Sequence, residues 1–182
     1  MLLTRLSDTL TGILAVLGAL TSAQRTRDLV EWARRDCSGD STVCTSVSDG
    51  DCCVAGLTNA HSGRCKDCHD HDTYIIYSGG KCRKQERTTT GDTCVNVAQQ
   101  SGHRWTSAGT DTDGVFDCKM APCTNTVEPD LISIGGKWFT VNESITESDK
   151  EALWDLWGKG VPVPRYLMKY ETSAAHDTAD NR

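Results

Sequence analysis

The chain has 182 residues, ten of them Cys, with a formal net charge of −6 and a mean hydropathy of −0.43. That length makes one domain the default, and the negative balance argues against the broad basic face that binds nucleic acid or anionic lipid. Only 37% of the residues are hydrophobic, with two Phe against 16 Gly, so the core is thin and covalent staples are expected to supplement it.

The first 23 residues read as a cleavable signal peptide. Arg5 leads, a short apolar run spans Leu10 to Leu20, and Thr21 and Ala23 place small residues before a cut after Ala23. The run is shorter than the roughly 20 apolar residues a membrane span needs. No second apolar run follows, so the expectation is a secreted, extracellular chain with no membrane span and no nucleic-acid partner.

Residues 24–35 end in the dibasic pair Arg34-Arg35, directly before Asp36 and Cys37. Leu29, Val30, Trp32 and Ala33 have helical spacing. Two readings stand: a pro-segment removed at the dibasic pair, or an N-terminal helix of the mature protein.

All the cysteines, Cys37, Cys44, Cys52, Cys53, Cys65, Cys68, Cys82, Cys94, Cys118 and Cys123, fall in the middle of the chain. In an exported protein this even set reads as disulfides with no free thiol, in a pairing that the sequence leaves open. Adjacent Cys52 and Cys53 are expected to take different partners, because a bridge between neighbours is strained.

Residues 37–68 are rich in Ser, Asp and Gly and predict loops with short strands around Val43, Val47 and Val54. Thr73 to Tyr77 predicts a strand, turned by Ser78-Gly79-Gly80. Val95 to Gln100 is expected to be a short helix capped by Asp92 or Thr93, and Val115 to Cys118 a further strand. Leu131 to Ile134 and Lys137 to Val141 predict a β-hairpin about Gly135-Gly136, with Ile132 facing Phe139 and Ser133 facing Trp138. A helix capped by Thr146 or Ser148 follows, to about Trp157, with Gly158 as its stop. Pro162 and Pro164 predict an extended arm ending near Tyr170. The predicted fold is α+β: a small disulfide-rich domain over 36–171 with short antiparallel strands and a C-terminal helix, then a disordered tail at 172–182. Asn142-Glu143-Ser144 is an N-glycosylation sequon.

Cys65-Lys66-Asp67-Cys68-His69 matches the c-type haem attachment pattern, but the density of other cysteines favours a disulfide, and no cofactor is expected. His61, His69 and His71 cluster with acidic residues and are candidate ligands for zinc or copper. Asp111, Asp113 and Asp117 resemble part of a calcium loop, but Val115 and Pro122 stand where oxygen ligands belong. The chain has no G-x-S-x-G elbow, no H-E-x-x-H and no phosphate-binding glycine loop, so no catalytic residue is assigned.

Two resemblances stand beside this reading. Cys37-Ser38-Gly39-Asp40-Ser41-Thr42-Val43-Cys44, Gly50-Asp51-Cys52-Cys53, Gly79-Gly80-Lys81-Cys82, Thr93-Cys94, Cys123 and Val127-Glu128-Pro129-Asp130 form a layout that resembles small secreted cysteine-rich fungal proteins, many of them candidate effectors. It implies a non-enzymatic role at a host or microbial surface, with an extracellular protein or glycan as partner. Gly91-Asp92-Thr93-Cys94-Val95-Asn96-Val97-Ala98 and Pro129-Asp130-Leu131-Ile132 resemble the opening and closing segments of a LysM domain. That resemblance implies a first helix after Thr93 and binding of chitin or other N-acetylglucosamine chains. Trp105 and Trp138 are the candidate carbohydrate-stacking residues.

Overall fold

The computed structural model describes residues 25–54, 60–80, 82–107 and 125–173. The predicted signal segment, the Val115 to Cys118 strand, the acidic stretch Asp111 to Asp117, Cys118, Cys123 and most of the predicted tail lie outside them. The fold is mainly β, which corrects the α+β expectation. In chain order the strands are β1 (Thr26–Trp32), β2 (Ser41–Ser48), β3 (Cys52–Cys53), β4 (Ala60–Lys66), β5 (Thr73–Ser78), β6 (Lys84–Thr90), β7 (Val95–Gln100), β8 (Gly102–Thr106), β9 (Thr126–Val127), β10 (Leu131–Ile134), β11 (Lys137–Thr140) and β12 (Glu171–Thr172). The helix α1 (Glu147–Leu156) and a 3₁₀ helix (Arg165–Tyr170) lie between the last two strands.

The strands form two sheets. One has the order β12-β11-β10-β2-β1-β4-β7 and the other β6-β5-β8-β3-β9. They pack face to face as a sandwich. Leu29, Cys44, Val47, Cys65 and Val97 of the first sheet meet Cys53, Tyr74, Ile76 and Trp105 of the second in one buried cluster. Beyond the edge of this contact, α1 and the 3₁₀ helix cover the remainder of the same inner face, where Ile132, Ile134, Phe139, Val141, Leu153, Trp157 and Leu167 form a second core.

The helix expected within 24–35 is the largest correction. Residues Thr26–Trp32 are a strand: β1 lies inside the seven-stranded sheet, hydrogen-bonded to β2 on one side and β4 on the other. Leu29 and Val30 are adjacent and both buried. A helix would put them on neighbouring positions of one face, but a strand sends them to opposite faces. A sheet apolar on both faces needs this pattern, and it cannot be told from a short helical stripe by spacing alone.

Val95–Gln100 is likewise a strand, β7, on the sheet edge next to β4. Its β-branched Val95 and Val97 suit a pleated surface better than a helix. Here the LysM resemblance fails, because the segment it requires to be helical is extended. The predicted arm after Pro164 winds instead into the 3₁₀ helix, with Leu167 N bonded to Pro164 O at 3.0 Å. Thr172, placed in the tail by sequence, pairs with Trp138.

Other elements follow the sequence closely. The β10–β11 hairpin has the expected register, Ile132 opposite Phe139 and Ser133 opposite Trp138. Gly135 and Gly136 take φ of 60° and 79°, the left-handed pair a tight hairpin turn requires. Helix α1 is capped by Thr146, whose side chain accepts a hydrogen bond from Asp149 N at 3.2 Å. Although free of cysteine, the C-terminal third is built into the fold, since β10 extends the large sheet by pairing with β2.

Candidate functional site

The cysteines form the frame. The bridges among the described residues are Cys37–Cys94, Cys44–Cys53, Cys52–Cys82 and Cys65–Cys68. Adjacent Cys52 and Cys53 do part company: Cys53 crosses the sandwich to β2, while Cys52 ties β3 to the turn after β5. The pair within C-x-x-C-H is bonded to itself, which leaves no thiolate for a metal and no thiol for a haem thioether.

The predicted metal histidines do not converge. The rings of His69 and His71 stack with centroids 5.6 Å apart, whereas His61 Nδ1 lies 3.0 Å from Ala98 O on the exposed edge of the large sheet. Among the described residues no group of three or more His, Cys, Asp or Glu is placed to hold a metal ion. Trp105 is wholly enclosed, its Nε1 donating to Val47 O at 2.8 Å, so no sugar can stack on it. Trp138 is half-buried on β11 and packs beside Val30, Trp32, Val43 and Leu131 on the outer face of the large sheet.

The outer face carries one continuous row of side chains across six strands. Thr172, Trp138, Ser133, Ser41, Trp32 and Ser62 are successive cross-strand partners, so they share one face of the pleat. Where the middle of this row meets the strand ends there is a groove of about 310 Å³. Trp32, Ser41 and Ser133 line it from the sheet. Asp40, Gly135 and Gly158 line it from the turns.

Asp40 fixes this shape. Its Oδ1 accepts from Gly135 N at 2.9 Å and its Oδ2 from Gly158 N at 2.9 Å. One carboxylate thus joins the hairpin tip to the turn after α1. Arg34 lies over Gly39 at the rim, exposed. Ser41, Ser133 and Trp32 are themselves buried, so the sheet forms the closed floor of the groove. The hairpin pattern pairs Ser133 with Trp138, but nothing in the sequence brings Trp32 and Ser41 to them, because residues 24–35 have helical spacing and end in a dibasic pair.

A second polar constellation lies inside. Glu31, on the inner face of β1, accepts from Thr42 Oγ1 at 3.1 Å and from Gln100 Nε2 at 3.0 Å. Burial pushes its carboxyl up to about 8, against the smaller opposing effect of those two hydrogen bonds. Tyr74 OH and His103 Nδ1 are 2.7 Å apart, and burial pulls the His103 imidazole down to about 3. Glu31, Gln100, Tyr74 and His103 are all fully enclosed. They form a structural network rather than a solvent-facing site.

A family model described as ARB_05566_N, an N-terminal domain, matches residues 28–130, more than half of the chain. The chain belongs to the ARB_05566_N family. No curated protein matches it, and no solved structure does. The matched segment of the family domain begins in β1 and ends just before β10, so it contains the whole five-stranded sheet and the central strands of the large one. The hairpin that carries Ser133 and Trp138 lies beyond the matched residues but in the same sheet. Among the described residues, no helix is long and apolar enough to cross a membrane.

Proposed function

We propose that this member of the family is a secreted, cysteine-rich interaction protein that acts by binding at a host or microbial surface rather than by catalysis, of the kind fungi release as candidate effectors. The carrying observation is the covalent frame. Disulfides tie β2 to β3 across the two sheets, β3 to the turn after β5, and the segment after β1 to the segment before β7, and such frames persist in oxidising, extracellular settings. The groups with strongly shifted proton affinities, Glu31 and His103, are sealed inside the sandwich, while the open features are rims and grooves between rigid turns. That division favours recognition.

The test is secretion followed by surface binding. The full chain is expressed in a eukaryotic secretory host, and the medium is assayed for protein with no free thiol. Labelled protein is then applied to fungal and plant cell surfaces. Oxidised protein in the medium with saturable binding is the expected result. Retention inside the cell with free thiols, or the absence of saturable binding to any surface, overturns the reading.

A further inference from the structure

The edge strands of the two sheets meet on one flank of the sandwich. β6 ends the small sheet, β7 ends the large one, and the two lie in contact. Between them is a groove of about 340 Å³, lined by Glu86 and Arg87 of β6, by Asn96, Val97 and Ala98 of β7, and by Arg35. Val97 is its buried floor, while Arg35, Glu86, Arg87 and Ala98 are exposed.

β6 is an open edge. Among the described residues it pairs with β5 alone, and every residue of it except Thr89 is exposed. Its register shifts at Glu86, between Gln85 and Arg87. From Arg87 to Thr90 the pairing is regular, opposite Ile76 to Thr73. That stretch holds three successive Thr and no Pro, a composition suited to an extended strand. A regular strand edge offers its outward backbone N–H and C=O groups to an incoming strand.

Charge selects which strand. Arg87 stands opposite Ile76 of the sandwich core, so its side chain is on the face turned towards the large sheet. The carboxylates near the groove are engaged. Glu86 accepts from Ser78 Oγ and Lys84 Nζ, and Asp36 accepts from Asn96 Nδ2 at 2.6 Å. The guanidiniums of Arg35 and Arg87 have no ion-pair partner among the described residues. Two unmatched guanidiniums therefore line one groove in a chain of net charge −6. Guanidinium forks match carboxylates, and residues directly opposite on neighbouring strands meet on one face.

We infer that β6 is a docking edge for an extended acidic peptide of a surface protein, which adds to the small sheet as one more strand and sets a carboxylate in the groove with Arg87 and Arg35. This rests on the surface-binding reading above and names the partner's chemistry.

The experiment is a fluorescence-anisotropy titration of the full, oxidised chain with a labelled peptide of alternating Thr and Glu. The same peptide with Lys for Glu, the same peptide with alternate backbone nitrogens methylated, and an oligogalacturonate serve as comparisons. The Thr-Glu peptide is expected to bind and to slow amide exchange from Arg87 to Thr90. The Lys peptide is expected not to bind, and methylation is expected to weaken binding about tenfold or more by removing strand hydrogen bonds. The double variant R35Q/R87Q is expected to weaken binding about tenfold, and a near-ultraviolet spectrum matching the parent establishes that it is folded. The inference is overturned if the Thr-Glu peptide does not bind, if it binds the folded double variant as tightly as the parent, or if the methylated peptide binds equally well. Oligogalacturonate binding as tight as that of the peptide, without protection of β6 amides, also overturns it, because the site then reads charge and not a strand. If no peptide binds yet the protein still saturates a cell surface, the edge assignment falls and the wider reading stands. If surface binding is also absent, both fall.

Discussion

Arg27 of β1 and Asp72 of the loop before β5 form a part-buried ion pair at 2.9 Å, although 45 residues separate them in the chain. The Arg27 guanidinium also lies over the Trp105 ring, 5.1 Å from its centroid, and Asp72 Oδ2 accepts from His69 N at 2.9 Å. Burial alone would raise the Asp72 carboxyl, but the His69 amide and then Arg27 outweigh it and hold it below its ordinary value. One contact therefore joins the first strand, the C-x-x-C-H loop and the core tryptophan. Asp72 is fully enclosed while Arg27 keeps an edge in solvent, so removing Asp72 leaves a charge that water still reaches in part, at a cost of about 1–3 kcal/mol. D72A is expected to lose that much in urea unfolding, and adding R27A is expected to recover part of it. Strict additivity in the double-mutant cycle would show that the pair is not coupled.

The dibasic pair Arg34-Arg35 is expected to stay uncut in the folded protein. Ser62 Oγ donates to Arg34 O at 2.6 Å, and Ser38 Oγ donates to Arg35 O at 2.6 Å. Asp36 and Cys37 then turn sharply, with φ of 58° and 50°. Cleavage here would also release β1, which has no cysteine to retain it. Susceptibility is decided by such backbone bonding and not by the motif. N-terminal sequencing of secreted protein is expected to show a start before Arg27, and a chain beginning at Asp36 is expected to lack native near-ultraviolet signal. A natively folded 36–182 chain would contradict this.

Glu31 and His103 set opposite limbs of the pH profile. The His103 value falls from its ordinary 6.5 to about 3, so the folded form binds fewer protons and stability is lost as pH falls through that window. The Glu31 value rises from its ordinary 4.5 to about 8, so stability is lost as pH rises from 4.5 towards 8. Between 4.5 and 6.5 the two slopes oppose each other, and the maximum is expected there. From 6.5 to 8 the Glu31 limb amounts to about 2 kcal/mol, at about 1.4 kcal/mol per unit. Asp72 adds to the acid limb, since its carboxyl is depressed. Unfolding free energies of the parent and E31Q across pH 4 to 9 provide the check. E31Q is expected to flatten the alkaline limb, and an unaltered limb would remove Glu31 as its cause.

Gly63 is expected to tolerate no side chain. A Cβ there would collide with the Tyr74 hydroxyl and stand 2.9 Å from Gln100 Oε1. Overpacking of this kind costs about 1–3 kcal/mol. G63A should lower the thermal midpoint, and Y74F in the G63A background should restore part of the loss by removing the oxygen it strikes. No loss in G63A would mean that the Glu31–Gln100–Tyr74 network is slack.

Asn142 is expected to carry an N-linked glycan when the chain passes through a eukaryotic secretory pathway. The sequon is exposed between β11 and α1, and Ser144 Oγ donates to Asn142 Oδ1 at 2.7 Å, with Ser144 N at 3.0 Å. Endoglycosidase treatment should reduce the mass of the secreted protein, and S144A should show no such shift.

Local chemistry was legible in the sequence wherever it was self-sufficient. The hairpin register, the Thr146 cap and the separate partners of Cys52 and Cys53 each depend on residues close in the chain: a pair of glycines, one hydroxyl, and two adjacent sulfurs that cannot bridge each other. The class of fold was not legible in the same way. Leu29-Val30 suits a helix or a strand equally until it is known what lies on each side, because burial on both faces of a sheet erases the alternation that marks a strand, and in Val95-Asn96-Val97 the alternation is present but too short to outweigh the cap signal of Asp92 and Thr93. For the same reason Trp32 and Ser41 could not be assigned to a site before β1 had found β2. The cysteines, the sequon and the lack of a catalytic motif were set by the sequence alone. Only the tertiary structure closed off the Cys65–Cys68 thiols, buried Trp105, and laid two serines and two tryptophans in one row, because those outcomes depend on strand pairing between residues up to about a hundred positions apart, whose order in a sheet no local pattern encodes.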